Sequence, residues 1–240
     1  MSGRQPMQRT AIVTGGTGGL GAAVTARLLD DGWRVIVPWV AERELERVQE
    51  RDGLELVQAD LFDPDAVARV VSRAGSAGGS SDGGYVAGLV NLVGGFAMGG
   101  RVHETPVEDF ERQFQLNLRS AYLMVQAVVP HMLSGDGGSI VCVGSRAALR
   151  PFPGAAGYIA SKAAVTAFAE AVAVEYKNDG IRSNAILPSV IDTPANRASM
   201  PKADHSKWVS PAAIAGVISF LLSDDSAPTS GAVIPVYGRA

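Results

Sequence analysis

Arg9-Thr10-Ala11-Ile12-Val13-Thr14-Gly15-Gly16-Thr17-Gly18-Gly19-Leu20-Gly21 is the stretch on which the fold turns. A short apolar run leads into a glycine-rich turn, and Gly19–Asp30 then reads as a helix. Strand, glycine turn and helix N-terminus form a setting in which backbone N–H groups and the helix dipole hold a dinucleotide pyrophosphate. A side chain at Gly15, Gly19 or Gly21 would obstruct the turn, the approach of the phosphates or the packing of helix on strand.

Outward from that turn the chain alternates between apolar strands and longer helical patterns. Strands are predicted at Thr10–Thr14, Arg34–Pro38, Leu54–Gln58, Gly88–Val93, Ser139–Val143, Ile181–Leu187 and Ala232–Val236. Helices are predicted at Gly19–Asp30, Glu42–Glu50, Pro64–Ser72, Val107–Leu133, Ala156–Lys177 and Pro211–Leu222, with Gly180 closing the long one. Such alternation implies an α/β fold whose parallel sheet carries helices on both faces. By length alone, 240 residues suit one α/β domain or two small ones, and no linker divides them. The Gly- and Ser-rich stretch Gly75 to Gly84 reads as a surface loop before the fourth strand.

Composition narrows the function. A net charge of −3 gives no basic footprint for nucleic acid. The single cysteine, Cys142, lies in the apolar run Ile140-Val141-Cys142-Val143 and reads as a packed thiol in a reducing compartment. Met1 to Gln8 is short and polar, with neither a signal core nor a membrane span, so a cytosolic location is expected. His103, His131 and His205 are not spaced as a metal pair and no zinc spacing exists, so no metal site is expected.

A second signal lies far downstream. Tyr158 and Lys162 are four residues apart at the start of the long helix, and Ser145 precedes Tyr158 by thirteen, at the end of a strand. Positions i and i+4 lie one above the other on a helix, so the Lys162 ammonium can sit beneath the Tyr158 phenol. A nearby positive charge favours the phenolate, bringing Tyr158 toward proton transfer near neutral pH. Ser145 could orient the same substrate oxygen.

The two signals, in this order, resemble the short-chain dehydrogenase/reductase family, from Thr10 to about Val236. Thr14 to Gly21 matches its Thr-Gly-x-x-x-Gly-x-Gly motif. Asn91-Leu92-Val93-Gly94 keeps the first Asn and the Gly of its Asn-Asn-Ala-Gly. Pro188-Ser189-Val190-Ile191-Asp192-Thr193-Pro194 matches its Pro-Gly-x-x-x-Thr-Pro, with serine in place of glycine. The resemblance implies a Rossmann-type, doubly wound domain over residues 1–240 with a seven-stranded parallel sheet. It implies a catalytic tetrad of Asn117, Ser145, Tyr158 and Lys162, acting on a carbonyl or secondary alcohol through a nicotinamide cofactor. Asn117 would hold a water beside Lys162. Cofactor contacts would come from Gly15, Thr17, Gly19, Leu20, Trp39, Asp60, Leu61, Asn91, Val93, Gly94, Tyr158, Lys162, Pro188, Ile191 and Thr193. Trp39 and Val40, where an acid would select NAD or a base NADP, are uncharged, and Gly18 brings no cation; NAD(H) is expected over NADP(H).

The loop at about 189–209 should close over a small-molecule substrate. Its Thr-Pro-x-Asn-Arg-x-Ser-Met-Pro-x-Ala-Asp run resembles dihydropteridine reductases, as does the turn Gly94-Gly95-Phe96. Those reductases lack the serine at Ser145, so carbonyl or alcohol chemistry is favoured. The alternatives are a pterin reductase and a non-catalytic dinucleotide sensor. Phe96, Phe152, Met200 and Trp208 are the candidate pocket walls. Apolar positions Tyr122, Val125, Val128, Val129, Val165, Phe168, Ala169 and Val172 exceed one buried face. They suggest a homo-oligomer, as a dimer or tetramer.

Overall fold

A computed structural model describes residues 9–76 and 85–239. Met1 to Gln8 and most of the Gly75–Gly84 loop, on which two of the expectations above rest, lie outside the described residues. The element order is β1 (Arg9–Thr14), α1 (Gly19–Asp30), β2 (Arg34–Trp39), β3 (Leu54–Gln58), α2 (Pro64–Gly75), β4 (Tyr85–Asn91), α3 (Val107–Phe114), α4 (Ser120–Leu133), β5 (Gly138–Val143), α5 (Ala156–Glu175), β6 (Ile181–Pro188), α6 (Pro194–Ser199), α7 (Pro211–Leu222) and β7 (Val233–Val236). The strands form one parallel sheet in the order β3-β2-β1-β4-β5-β6-β7, the doubly wound α/β arrangement. The order reverses between β1 and β4, which opens the crevice where such sheets bind ligands.

Each face of the sheet has its own core. One packs Val67, Val70 and Val71 of α2, Met124 and Val128 of α4 and Val165 and Val172 of α5 against Ile12, Leu89 and Ile140. The other packs Val24 and Leu28 of α1 and Ile214, Ile218 and Leu221 of α7 against Val13, Val35 and Ile186. By length and composition α5 could cross a membrane; here it lies on the sheet, against β5 and β6.

Three helix predictions need correction. Glu42–Arg47 is a short 3₁₀ turn in place of a helix to Glu50, with the Glu44 side chain accepting from the Ala41 N–H (3.2 Å) and Val48 returning to extended backbone. The predicted helix Val107–Leu133 contains a π turn over Gln115–Arg119, between α3 and α4. The long helix ends at Glu175, and Gly180, at φ +72°, closes a separate 3₁₀ turn over Lys177–Asp179. The apolar stripe expected to face a partner is largely spent on the core. Val125, Val128, Val129, Val165, Ala169 and Val172 are buried within the chain, because α4 and α5 both bury wide faces against the sheet and each other. Tyr122 remains exposed and packs on Phe168, ring centroids 5.8 Å apart.

Candidate active site

The turn after β1 is shaped for a phosphate group. Gly15 takes φ +66°, a conformation in which L side chains are strained. A Cβ on Gly21 would lie 2.0 Å from the Gly15 carbonyl oxygen, so the helix starts against the strand only without one. The first intrahelical bond of α1 runs from Ala22 N–H to Gly18 O (2.8 Å). The N–H groups of Gly19, Leu20 and Gly21 therefore have no intrahelical acceptor and sit at the positive end of the helix. These features fit a dinucleotide pyrophosphate. Thr193 closes the side of the turn, since a Cβ on Gly19 would meet its Cγ2 at 3.0 Å. Thr14 ties the crevice together, its hydroxyl accepting from the N–H groups of Leu92 (3.0 Å) and Val93 (3.2 Å).

Beyond the turn the cofactor candidates divide. Gly15 faces Val93, while Trp39 ends β2 half-buried. Asp60 accepts from Phe62 N–H (2.9 Å) in a local turn, and the Leu61 side chain is buried in the core, which leaves its main chain alone for a ligand. Asn91 is buried, its amide directed at the Cys142 sulfur (3.7 Å) and its carbonyl oxygen without a partner among the described residues. Pro188 is buried at the end of β6. Ile191 and Thr193 follow, half-buried. The serine that replaces a glycine, Ser189, donates to the Tyr237 carbonyl (2.7 Å) and so ties the segment to the C-terminal strand region.

The four tetrad positions gather around the ends of β4 and β5. Ser145 caps a short turn, its hydroxyl accepting from Ala147 N–H (3.1 Å), with its side chain beside the Tyr158 phenol. Tyr158 lies in the first turn of α5, its ring edge-on to Phe96 with centroids 5.0 Å apart. Lys162, one turn on, is buried and donates to the Val143 carbonyl (2.9 Å). Asn117 sits in the π turn, 1% exposed. Its side-chain oxygen accepts from Gly95 N–H (2.9 Å), and its amide donates to Gly95 O (3.2 Å) and the Ser161 hydroxyl (3.0 Å). The π turn widens the helix at the residue that must reach inward. Gly94 explains itself here, because a Cβ would meet the Asn117 oxygen at 2.6 Å and the Lys162 ammonium at 3.0 Å.

One expectation about this corner changes and another narrows. Burial raises the Tyr158 phenol above its ordinary range, countered by the adjacent Ser145 side chain and not by Lys162, whose ammonium is turned to Val143. Burial also lowers Lys162 to about 8. The Asn117 side chain is engaged by Gly95 and Ser161, which leaves its main-chain carbonyl and one lone pair of its side-chain oxygen for a water.

Among the pocket walls, Phe96 packs on both Tyr158 and Phe152. Met200 and Trp208 belong to the loop, where the Trp208 ring lies 4.4 Å from His205 and the Met200 carbonyl bonds the His205 ring (3.0 Å). A cavity of about 730 Å³ borders Tyr158 and is lined by Met98, Val102, Phe110 and Gln113, none of them foreseen from sequence. Ser161 was also missed, although a serine one residue before the helical lysine was open to view. It accepts from Asn117 and donates to the Tyr158 carbonyl (2.8 Å).

The family model for short chain dehydrogenases matches residues 9–204. The 2-(R)-hydroxypropyl-CoM dehydrogenase of Xanthobacter autotrophicus is 33% identical, over 97% of this chain and 98% of its own. The 3-oxoacyl-(acyl-carrier-protein) reductase MabA of Mycobacterium tuberculosis is 32% identical over 97% and 92%. A solved short-chain type dehydrogenase/reductase from Mycobacterium ulcerans superposes with a TM-score of 0.88 at 27% identity, covering 98% of this chain and 90% of that one. The structure of ElxO with NADP bound, 23% identical, gives 0.87 over 97% and 98% and shares the fold.

Proposed function

The chain belongs to the short chain dehydrogenase family, an NAD(P)-dependent oxidoreductase of alcohol and carbonyl groups, and on that premise we propose that Tyr158 is its general acid and base. The observation that carries the reading is the convergence of Ser145, Tyr158, Lys162 and Asn117 beside a glycine turn shaped for a dinucleotide. Residues 1–240 act as one such domain.

The cofactor, when bound, supplies or accepts the hydride at its nicotinamide. The chain's own residues handle the oxygen. In reduction Ser145 and Tyr158 donate hydrogen bonds to the substrate oxygen, and Tyr158 passes its proton to it as negative charge develops. Burial keeps the phenol protonated until that moment. Lys162 holds a positive charge in the same buried corner, which offsets the phenolate left behind. Asn117 positions this corner by fastening the Gly94–Gly95 turn to α5 through Ser161. Thr193 and Ile191 would hold the nicotinamide end, and Phe96 and Phe152, packed on each other beside Tyr158, would wall the substrate.

The activities of the two relatives concern hydroxy and oxo groups, which supports carbonyl or alcohol chemistry over pterin reduction or mere sensing. NAD(H) is the preferred cofactor in this reading, since Trp39 and the 56%-exposed Val40 carry no charge for a 2′-phosphate. The fully buried free thiol of Cys142 suits a cytosolic setting. The protein also self-associates. The support is the set of apolar side chains left exposed on α3, α4 and α5, namely Phe110, Tyr122, Leu133 and Val174. Light scattering should give the mass of two or four chains, and a single-chain mass would overturn self-association.

One experiment tests the chemistry. Tyr158→Phe should lower ketone reduction by about 10²–10⁴-fold and leave dinucleotide binding intact. In the unsubstituted protein kcat/KM for reduction should fall as pH rises through about 8, where Lys162 gives up its proton before the phenol does. More than about a tenth of the rate surviving in Tyr158→Phe would remove the general acid from the scheme.

A further inference from the structure

We propose that Glu44 selects NAD(H) over NADP(H) in this chain, supplying from the next turn the carboxylate that β2 lacks at its end. The inference rests on the reading of the glycine turn as a nicotinamide dinucleotide site that prefers NAD. In doubly wound sheets the adenosine ribose is read between the end of β2 and the glycine turn, and a carboxylate there accepts from its hydroxyls. β2 ends here at Trp39 and is followed by Val40, neither of which can accept. The chain then bends through Ala41 into the 3₁₀ turn and carries Glu44 back to the glycine loop, where the Thr17 hydroxyl donates to its Oε2 at 2.9 Å. That contact joins residues 27 apart in sequence, so it is tertiary and fixes where the carboxylate stands. The Ala41 N–H holds the other oxygen at 3.2 Å.

Thr17 is itself 5% exposed and sits between β1 and the first turn of α1. The carboxylate is thereby fastened from two sides to the rim of the turn that binds the pyrophosphate. Each carboxylate oxygen has two lone pairs, so after Thr17 and Ala41 one remains on each for a hydroxyl donor. A ribose offers two such hydroxyls. A 2′-phosphate offers none at that carbon and would place a dianion against a fixed negative charge. Gly18, next to Thr17, has no side chain with which to balance it.

Glutamate at this position also caps the 3₁₀ turn, and the test must separate the two roles. Glutamine keeps the cap through its carbonyl oxygen, with the Thr17 hydroxyl turning to accept from its NH2, while removing the charge. Calorimetric titration of the purified protein with NADH and NADPH, without substrate, reads the selection directly. The unsubstituted protein should bind NADH about tenfold tighter or more, and Glu44→Gln should raise NADPH affinity about tenfold while changing NADH affinity less than about threefold. Glu44→Asp keeps the charge on a shorter stem and should keep the discrimination while binding NADH more weakly. A preference for NADH that Glu44→Gln leaves unchanged, or that Glu44→Asp loses as fully as Glu44→Gln, would reduce Glu44 to a cap and overturn the inference alone. NADPH bound more tightly than NADH by the unsubstituted protein would overturn the NAD reading and the inference with it.

Discussion

The corner that holds Tyr158 and the loop over residues 189–209 are built on opposite plans. At the corner the bonds that hold Lys162 and Asn117 join different elements: Lys162 on α5 to Val143 on β5, Asn117 in the π turn to Gly95 after β4 and to Ser161 on α5. In the loop nearly every bond is local. Thr193 accepts from Asn196, Asn196 donates to the Ile191 carbonyl, Arg197 pairs with Asp192, and Ser206 donates to Asp204. Its ends are pinned to each other, Asp192 N–H to Val209 O (2.8 Å) and Val209 N–H to Val190 O (3.1 Å), while most of what lies between is exposed. A segment fastened at its base and bonded within itself can shift as a unit. The corner cannot shift without breaking contacts between elements. In the proposed scheme the proton-transfer geometry is thus fixed by the fold, and recognition is left to a part that can be exchanged.

Removing one member of the corner should produce the largest effect. Asn117→Ala deletes three hydrogen bonds and leaves the Gly95 N–H without its acceptor. Unsatisfied buried groups cost about 1–3 kcal/mol each, so stability should fall by about 2–4 kcal/mol. For a chain of this size that corresponds to a melting midpoint roughly 5–15 °C lower. Turnover should drop about 10²-fold, because Gly94 and Lys162 lose their common neighbour and small misplacements of reacting groups are costly. Thermal denaturation together with kcat measured well below the new midpoint checks both. A variant that melts early but turns over at the original rate would show that Asn117 holds the fold and not the site.

The same contrast explains what could be read from sequence. The glycine turn was legible because much of its constraint is local: five glycines fall within seven residues, Gly15 takes a positive φ, and Gly21 lies against the Gly15 carbonyl. Tyr158 and Lys162 were legible because helical spacing alone sets their relation. The direction of the Tyr158 shift was not, since it depends on burial and on Lys162 turning to a carbonyl nineteen residues away. Glu44 and Ser161 were hidden for a like reason. Nothing in Glu42-Arg43-Glu44 announces that one of its acids will fold back onto Thr17. The π turn at Asn117 was also invisible, as its sequence is an ordinary helical one. The apolar stripes of α4 and α5 were seen, but how much of them the sheet covers is a tertiary fact.

The smallest effect should come from the loop, and its form matters more than its size. Arg197 donates to both oxygens of Asp192, and this bond holds the Asp192 carboxyl below the usual carboxylate range. Arg197 is exposed and Asp192 partly so, a setting in which an ion pair contributes little to global stability. Arg197→Ala should therefore leave the melting midpoint unchanged. The pair does tie the helix α6 to the base of the loop, so its loss should widen the range of positions the loop samples. A loop that spends less time closed weakens substrate capture before it weakens proton transfer. KM should rise about two- to fivefold while kcat moves by less than about twofold. Steady-state kinetics with one ketone at saturating NADH separates the two constants. If kcat falls as steeply as in Asn117→Ala with KM untouched, the loop is part of the fixed geometry, and the division between a rigid corner and an exchangeable cover does not hold.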